Sequence, residues 1–243
     1  MLINRVLVYA PMHISVVIPA YNEANTIGTI LERVLKALHE PHQWDILVVD
    51  DCSRDSTAEV VRKFAPDVRL VTHSTNQGKG AALRTGFAAA HGEIAIIQDA
   101  DLEYDPAEYR NLLQPLLDGK ADVVYGSRFA GSGPHRVLYF WHYVGNKFLT
   151  TLSNMTTNLN LSDMECGMIV LKLDLIRKIR LEENGFGGQP EIVAKLARLG
   201  ARFYEVGISY HGRTYREGKK ITWRDGVKAI FCIIKYGILQ RLW

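Results

Sequence analysis

Between residues 13 and 128 the chain alternates short apolar runs with amphipathic stretches, and this alternation is its strongest constraint. Ile14–Ile18, Ile46–Val49, Val68–Thr72, Ile94–Ile97 and Val123–Tyr125 are continuous apolar or β-branched runs of strand length. Helical patterns separate them: Asn25, a capping type, to Leu38; Asp55 or Ser56 to Phe64; Gly80 to Ala90; and Pro106 to Leu117. Strands without polar alternation are buried on both faces, which predicts an α/β fold: a mostly parallel sheet with helices on both faces. Beyond Arg128 the pattern loosens. Helices are expected near 137–160, 190–199 and 221–243, and strands near 168–171 and 202–206. No repeat or linker interrupts the 243 residues, so residues 1–243 read as one domain.

Acids stand where the strands end. Asp50-Asp51 follows the second run and Asp99-Ala100-Asp101 the fourth, while Tyr21 and Glu23 lie just past the first. In open α/β sheets ligands bind at the carboxyl ends of strands. Two carboxylates one residue apart suit either an acidic turn or a hard divalent cation held jointly with substrate phosphates. Three such strand ends on one edge favour a nucleotide-diphosphate cleft. The first turn, Pro19-Ala20-Tyr21-Asn22-Glu23, lacks the glycines of a dinucleotide fingerprint. Gln77-Gly78-Lys79-Gly80 lacks the remaining positions of a Walker A loop.

Five ordered segments then resemble one family. Val16-Val17-Ile18-Pro19-Ala20-Tyr21-Asn22-Glu23, Val48-Val49-Asp50-Asp51-Cys52-Ser53-Arg54-Asp55-Ser56-Thr57, Asn76-Gln77-Gly78-Lys79-Gly80, Asp99-Ala100-Asp101 and Gly126-Ser127-Arg128 are similar to the motifs of inverting family 2 glycosyltransferases of the GT-A fold. Within the family the chain most resembles the dolichyl- or polyprenyl-phosphate mannosyl- and glucosyltransferase-like branch. The resemblance implies a nucleotide-sugar-binding half (about 13–128) and an acceptor-binding half (about 129–243). It also implies a divalent cation, Mg²⁺ or Mn²⁺, a GDP-mannose or UDP-glucose type of donor, and a polyprenyl phosphate acceptor.

It implies site residues too. Pro19, Tyr21, Glu23, Val49 and Asp51 would line the base and ribose, with Lys79 joining the donor site. Asp99, Ala100 and Asp101 would sit at the diphosphate, Asp101 being the principal metal ligand, and Glu103 would complete the metal shell with Asp99. Arg128 would reach a donor or acceptor phosphate. Arg213, Arg216 and Lys219 look like a basic loop over the phosphates. Arg136, Asp163 and Glu165 would face the acceptor. The segment Asp163-Met164-Glu165-Cys166-Gly167 departs from the branch's usual pattern, as do Gln189 and Gly207, all on the acceptor side.

A phosphate acceptor is already anionic and needs no strong base, whereas a hydroxyl acceptor does. Glu191 is the candidate base; its alternative is an acid favoured by the dipole at a helix N-terminus. Transfer to a hydroxyl of a glycan, lipid or protein is therefore the rival reaction. A non-catalytic sugar-nucleotide-binding subunit is the rival of another class.

Charge is uneven. Residues 211–243 hold eight Lys/Arg against two acids, a net +6 that leaves −3 for the rest of a chain at +3. A basic end suggests an anionic partner. Val227, Ile230, Phe231, Ile234 and Ile238 share a helical face flanked by Trp223, Lys228, Tyr236, Arg241 and Trp243. This fits an interfacial helix at a membrane surface, a helix meeting a membrane partner subunit, or a terminal helix packed on the body. The basic stretch carries no nucleic-acid module. Cys52, Cys166 and Cys232 show neither zinc nor disulfide spacing. With no signal-peptide pattern, a peripheral position on the cytosolic membrane face is expected.

Overall fold

The computed structural model describes residues 10–131, 136–137, 139–213 and 223–241; for Trp223, Arg224 and Arg241 this covers the backbone only. Seven strands form one sheet: β1 (His13–Ala20), β2 (Gln43–Asp50), β3 (Val68–Thr72), β4 (Ile94–Ile97), β5 (Val123–Ser127), β6 (Ile169–Lys172) and β7 (Phe203–Gly207). Their spatial order is β3-β2-β1-β4-β6-β5-β7. Helices α1 (Ile27–Ala37), α2 (Thr57–Arg62), α3 (Lys79–Ala89), α4 (Tyr109–Leu117), α5 (Phe140–Thr157), α6 (Leu173–Arg177), α7 (Gly188–Arg198) and α8 (Trp223–Gly237) cover it.

Both faces of the sheet are buried, as continuous apolar strands require. Ile14, Val16 and Ile18 of β1 join one core with Ile30, Leu31 and Val34 of α1 and Leu112 and Leu113 of α4. Val17, Ala95 and Ile97 join the other with Leu83 and Phe87 of α3 and Ile192, Val193 and Leu196 of α7.

The strand series is not parallel throughout. β6 lies between β4 and β5 and runs antiparallel to both. This insertion positions the second half of the site. An antiparallel strand enters the sheet at the edge where its parallel neighbours leave it. Ile169, the first residue of β6, pairs with Ile97 at the end of β4. The segment 163–168 therefore arrives beside the Asp99–Asp101 turn. β7 is parallel to β5, with Gly207 opposite Ser127, and it releases residues 208–213 at the same edge.

Two local expectations change. Asn25 does not cap α1: the helix opens at Ile27, with the Thr26 and Ile27 amides donating to the Glu23 carbonyl. The short helix α6, directly after β6, has too few residues to show a period in the sequence.

Candidate functional site

The loops after β1 and β2 are locked together before any ligand is considered. Asn22 N donates to Ser53 Oγ (2.9 Å), Glu23 N to Thr57 Oγ1 (2.9 Å) and Ala24 N to Asp55 Oδ2 (3.1 Å). The hydroxyls and Asp55 of the second motif thus serve to hold the first. Tyr21 and Glu23 stay half-buried at the cleft. Pro19, Val49 and Ala100 are buried. Val49 packs with Leu47 and Ala82, and Ala100 belongs to the main core, so both can meet a ligand only through their backbone.

Asp51 ties its own loop to the next turn. Its Oδ1 accepts from Gln77 N (2.9 Å) and lies 2.7 Å from His73 Nδ1, and its Oδ2 accepts from Gly78 N (2.6 Å). Three donors thus meet this almost fully buried carboxylate, which clamps the 76–78 turn. Gly78 takes φ +99°, and a side chain there would collide with the Asn184 carbonyl, so glycine is required. The clamp launches α3 and delivers Lys79, whose Nζ lies 2.5 Å from Asp99 Oδ1. Burial works against the Lys79 charge, but Asp99 holds its pKa above the ordinary lysine value.

The turn after β4 is built on Gln98. This fully buried side chain donates to the carbonyls of Asp99 (3.1 Å) and Tyr104 (3.5 Å) and accepts from Tyr109 Oη (2.9 Å). Asp101 Oδ1 accepts from Glu103 N (3.1 Å), and Asp101 Oδ2 lies 2.5 Å from an Arg213 guanidinium nitrogen. Burial, then the charges of Asp99 and Glu103, push the Asp101 carboxyl up to about 7, with Arg213 opposing. Glu103 binds the segment after β7. Its Oε1 accepts from Arg213 N (2.9 Å) and Nε (3.3 Å), its Oε2 from Tyr210 Oη (3.0 Å), and its carbonyl from His211 N (2.9 Å). Arg213 also approaches Glu23 Oε2 at 3.6 Å.

Asp99 and Asp101 are oxygen donors of the kind that suit Mg²⁺ or Mn²⁺, and Arg213 and Lys79 stand on them as cationic stand-ins. Among the described residues no three Asp, Glu, His or Cys side chains form a cage. Glu103 holds Tyr210 and shares the Arg213 guanidinium with Asp101. The residues present fit such a cation through Asp99 and Asp101.

The acceptor-side residues gather around a second pair. Arg128 Nε and a terminal nitrogen donate to Asp163 Oδ2 and Oδ1, each at 2.6 Å, and the Arg128 amide adds 3.0 Å to Oδ2. The guanidinium lies 5.2 Å from the centre of the Tyr210 ring. Beside it Glu165 Oε1 is buried with no hydrogen-bond partner. Burial pushes this carboxyl up to about 7, against the charge of Arg128 and helped by Asp163. Gly167 leaves room for the Asp99 carboxylate, which a Cβ there would strike. Arg136 donates to the Gly212 carbonyl (2.9 Å) and lines a cavity of about 580 Å³ with Thr26, Arg33, Leu102, Asp105, His211 and Arg213.

Glu191 stands apart from these groups. It is fully buried at the start of α7, with Oε1 accepting from Glu182 N (2.7 Å) and Lys195 Nζ (2.5 Å) and Oε2 from Glu183 N (2.9 Å). These contacts tie down the 182–183 loop, and the carboxylate has no solvent exposure. Arg216 and Lys219 lie outside the described residues. Sequence reasoning missed Gln98, Tyr104 and Tyr210. Gln98 directly follows an apolar strand and could have been noticed as a polar residue inside the core; the two tyrosines carried no local signal.

The mostly parallel seven-strand sheet covered by helices matches the GT-A fold of solved neighbours. The chain matches glucosyl-3-phosphoglycerate synthase from Mycobacterium tuberculosis, crystallised with Mn²⁺, UDP and glucosyl-3-phosphoglycerate, at a TM-score of 0.73 and 21% identity over 93% of this chain and 80% of that one. Residues 15–185 match the glycosyl transferase family 2 domain, and the chain belongs to that family. It is 30% identical to the undecaprenyl-phosphate mannosyltransferase of Micrococcus luteus over 95% of this chain and 96% of the relative. It is 26% identical to the dodecaprenyl-phosphate galacturonate synthase of Rhizobium johnstonii over 86% of this chain, spanning 62% of that protein's length. The chain is thus a glycosyltransferase related to polyprenyl-phosphate sugar transferases.

Proposed function

We propose that the protein transfers a hexose, with inversion, from a GDP-mannose- or UDP-glucose-type donor to a polyprenyl phosphate. The observation that carries this reading is the pairing of two carboxylates with two cations at one sheet edge, Asp99 with Lys79 and Asp101 with Arg213. Such a set can exchange partners with a nucleoside diphosphate and its divalent cation. Bound to Asp101 and Asp99, that cation would neutralise charge developing on the leaving diphosphate.

Tyr21, Glu23 and Asp51 would receive the base and ribose, Pro19, Val49 and Ala100 would contribute backbone there, and Asp51 also holds the turn that presents Lys79. Arg213, with Arg216 and Lys219, would bind donor phosphates. Arg128, oriented by Asp163, and Arg136 would draw the acceptor phosphate toward the sugar, with Glu165 beside them. An acceptor that is already an anion needs no strong base, and this accords with Glu191 being occupied by the 182–183 loop.

The outer surface supports a lipid acceptor. α5 exposes Phe140, Trp141 (77%) and Phe148, and α8 exposes Val227, Phe231 (62%), Ile234 and, just past its end, Ile238. The two helices pack on each other, so these side chains give a peripheral membrane contact. No helix among the described residues is long and apolar enough to cross a membrane.

Product analysis tests the reading. GDP-mannose and UDP-glucose are offered with a short polyprenyl phosphate, with and without Mn²⁺ or Mg²⁺. The expected product is a metal-dependent lipid-phosphate hexoside of inverted anomeric configuration. Transfer to hydroxyl acceptors with none to lipid phosphate would replace the acceptor assignment.

A further inference from the structure

Arg213 occupies an unusual place for a residue of a basic phosphate-facing loop. Its guanidinium contacts three acids from two separate loops: Asp101 Oδ2 at 2.5 Å, Glu103 Oε1 at 3.3 Å and Glu23 Oε2 at 3.6 Å. It does not stand alone, because the Tyr210 hydroxyl, the His211 amide and the Arg213 amide also bond to Glu103. The whole segment after β7 is seated on the acidic turn. Lys79 does the same for Asp99. Burial opposes the Arg213 charge, but Asp101, Glu23 and Glu103 together hold its pKa above the ordinary arginine value, so the guanidinium is a fixed positive charge.

We infer that Arg213 is the resident counter-cation of this site, excluding a divalent cation that comes alone and yielding to one that arrives with a nucleoside diphosphate. The inference rests on the donor-site reading above. A divalent ion bonds a carboxylate oxygen at about 2.1 Å. The Arg213 nitrogen already holds Asp101 Oδ2, and Oδ1 accepts from the Glu103 amide. Metal and guanidinium on one oxygen would place like charges in contact, and a displaced guanidinium with no new anion would lose three acidic neighbours at once.

A diphosphate changes the balance. It brings its own negative charge and an oxygen geometry that a guanidinium matches with paired hydrogen bonds. Arg213 can then move from carboxylate to phosphate while the cation takes the carboxylate, and every charge keeps a partner. Metal and nucleotide affinities become reciprocally coupled through one side chain, in the range of 5- to 150-fold that such linkage ordinarily spans.

Mn²⁺ binding, read by the electron paramagnetic resonance of the free ion, tests this without turnover. Wild type, Arg213→Gln, Arg213→Lys and Arg33→Gln are titrated alone and with UDP or GDP. Arg33 lines the adjoining cavity from α1 and controls for general charge. Arg213→Gln should bind Mn²⁺ alone about tenfold more tightly than wild type, while Arg213→Lys and Arg33→Gln stay within about threefold. The gain in Mn²⁺ affinity on adding nucleotide should be large in wild type and several-fold smaller in Arg213→Gln. Equal or weaker Mn²⁺ binding by Arg213→Gln alone, or an equal gain in Arg33→Gln, overturns the inference. If wild type takes up no Mn²⁺ even with either nucleotide, and Asp101→Asn behaves identically, the donor-site reading itself has failed and the inference falls with it.

Discussion

The Arg128 guanidinium and the Asp163 carboxylate meet along two parallel hydrogen bonds of 2.6 Å, and Asp163 has no solvent exposure. They are 35 residues apart: Arg128 directly follows β5 and Asp163 precedes β6, the antiparallel neighbour of β5. Breaking a buried pair by removing one partner leaves the other charge uncompensated. Asp163→Ala should therefore lower unfolding free energy by about 3 kcal/mol in urea titrations. Transfer activity should be lost even at temperatures where the variant remains folded, because Arg128 loses its orientation.

Glu165 predicts a pH dependence of stability. Its folded-state pKa, about 7, lies above the ordinary value of 4.5. Between those values the folded state holds a proton that the unfolded state has released, so stability falls as pH rises through the window. Glu165→Gln cannot ionise. Its urea midpoint should decline less than that of wild type between pH 5 and pH 8, and the difference between the two proteins should grow toward pH 8. Parallel curves would show that the carboxyl is not buried in solution.

Glu191 is predicted to be a structural residue. Glu191→Gln leaves one acceptor oxygen for two loop amides and removes the nearest of the two carboxylates paired with Lys195, at a cost of about 2 kcal/mol. Unfolding curves should show that loss, while kcat measured on folded protein stays within a few-fold of wild type. A base would give the reverse: intact stability and a fall in kcat of about 100-fold or more.

The exposed aromatic face separates membrane docking from chemistry. Trp141→Ser with Phe231→Ser removes two of the largest exposed apolar side chains from α5 and α8. Co-sedimentation with anionic vesicles should fall about tenfold, whereas transfer to a water-soluble, short-chain prenyl phosphate should change less than about twofold. Unchanged sedimentation would move the docking surface elsewhere.

Much of the fold was legible in the sequence because buried strands announce themselves locally. Val68–Thr72 and Ile94–Ile97 are bounded in the structure where the apolar runs end. The acids at strand ends were legible for the same reason, since a parallel strand must leave the core at a known edge. The later strands were less so. β6 is four residues long, and nothing in Ile169–Lys172 says that it runs antiparallel between β4 and β5. Asp51 was legible as an acid at a strand end, but not the Gln77 and Gly78 amides that donate to it from 26 and 27 residues away. Glu191 was open to two readings for the same reason.

The sequence by itself determined that this chain builds a mostly parallel sheet with carboxylates at one edge, because strand burial and side-chain alternation are properties of neighbouring residues. Only the tertiary structure decided what each charge at that edge touches. Lys79 meets Asp99, Arg128 meets Asp163 and Arg213 meets Asp101 across separations of 20, 35 and 112 residues. Electrostatic partners are chosen by distance in space: the Asp51-held turn brings Lys79 to Asp99, and antiparallel β6 and then β7 bring Asp163 and Arg213 to the same edge.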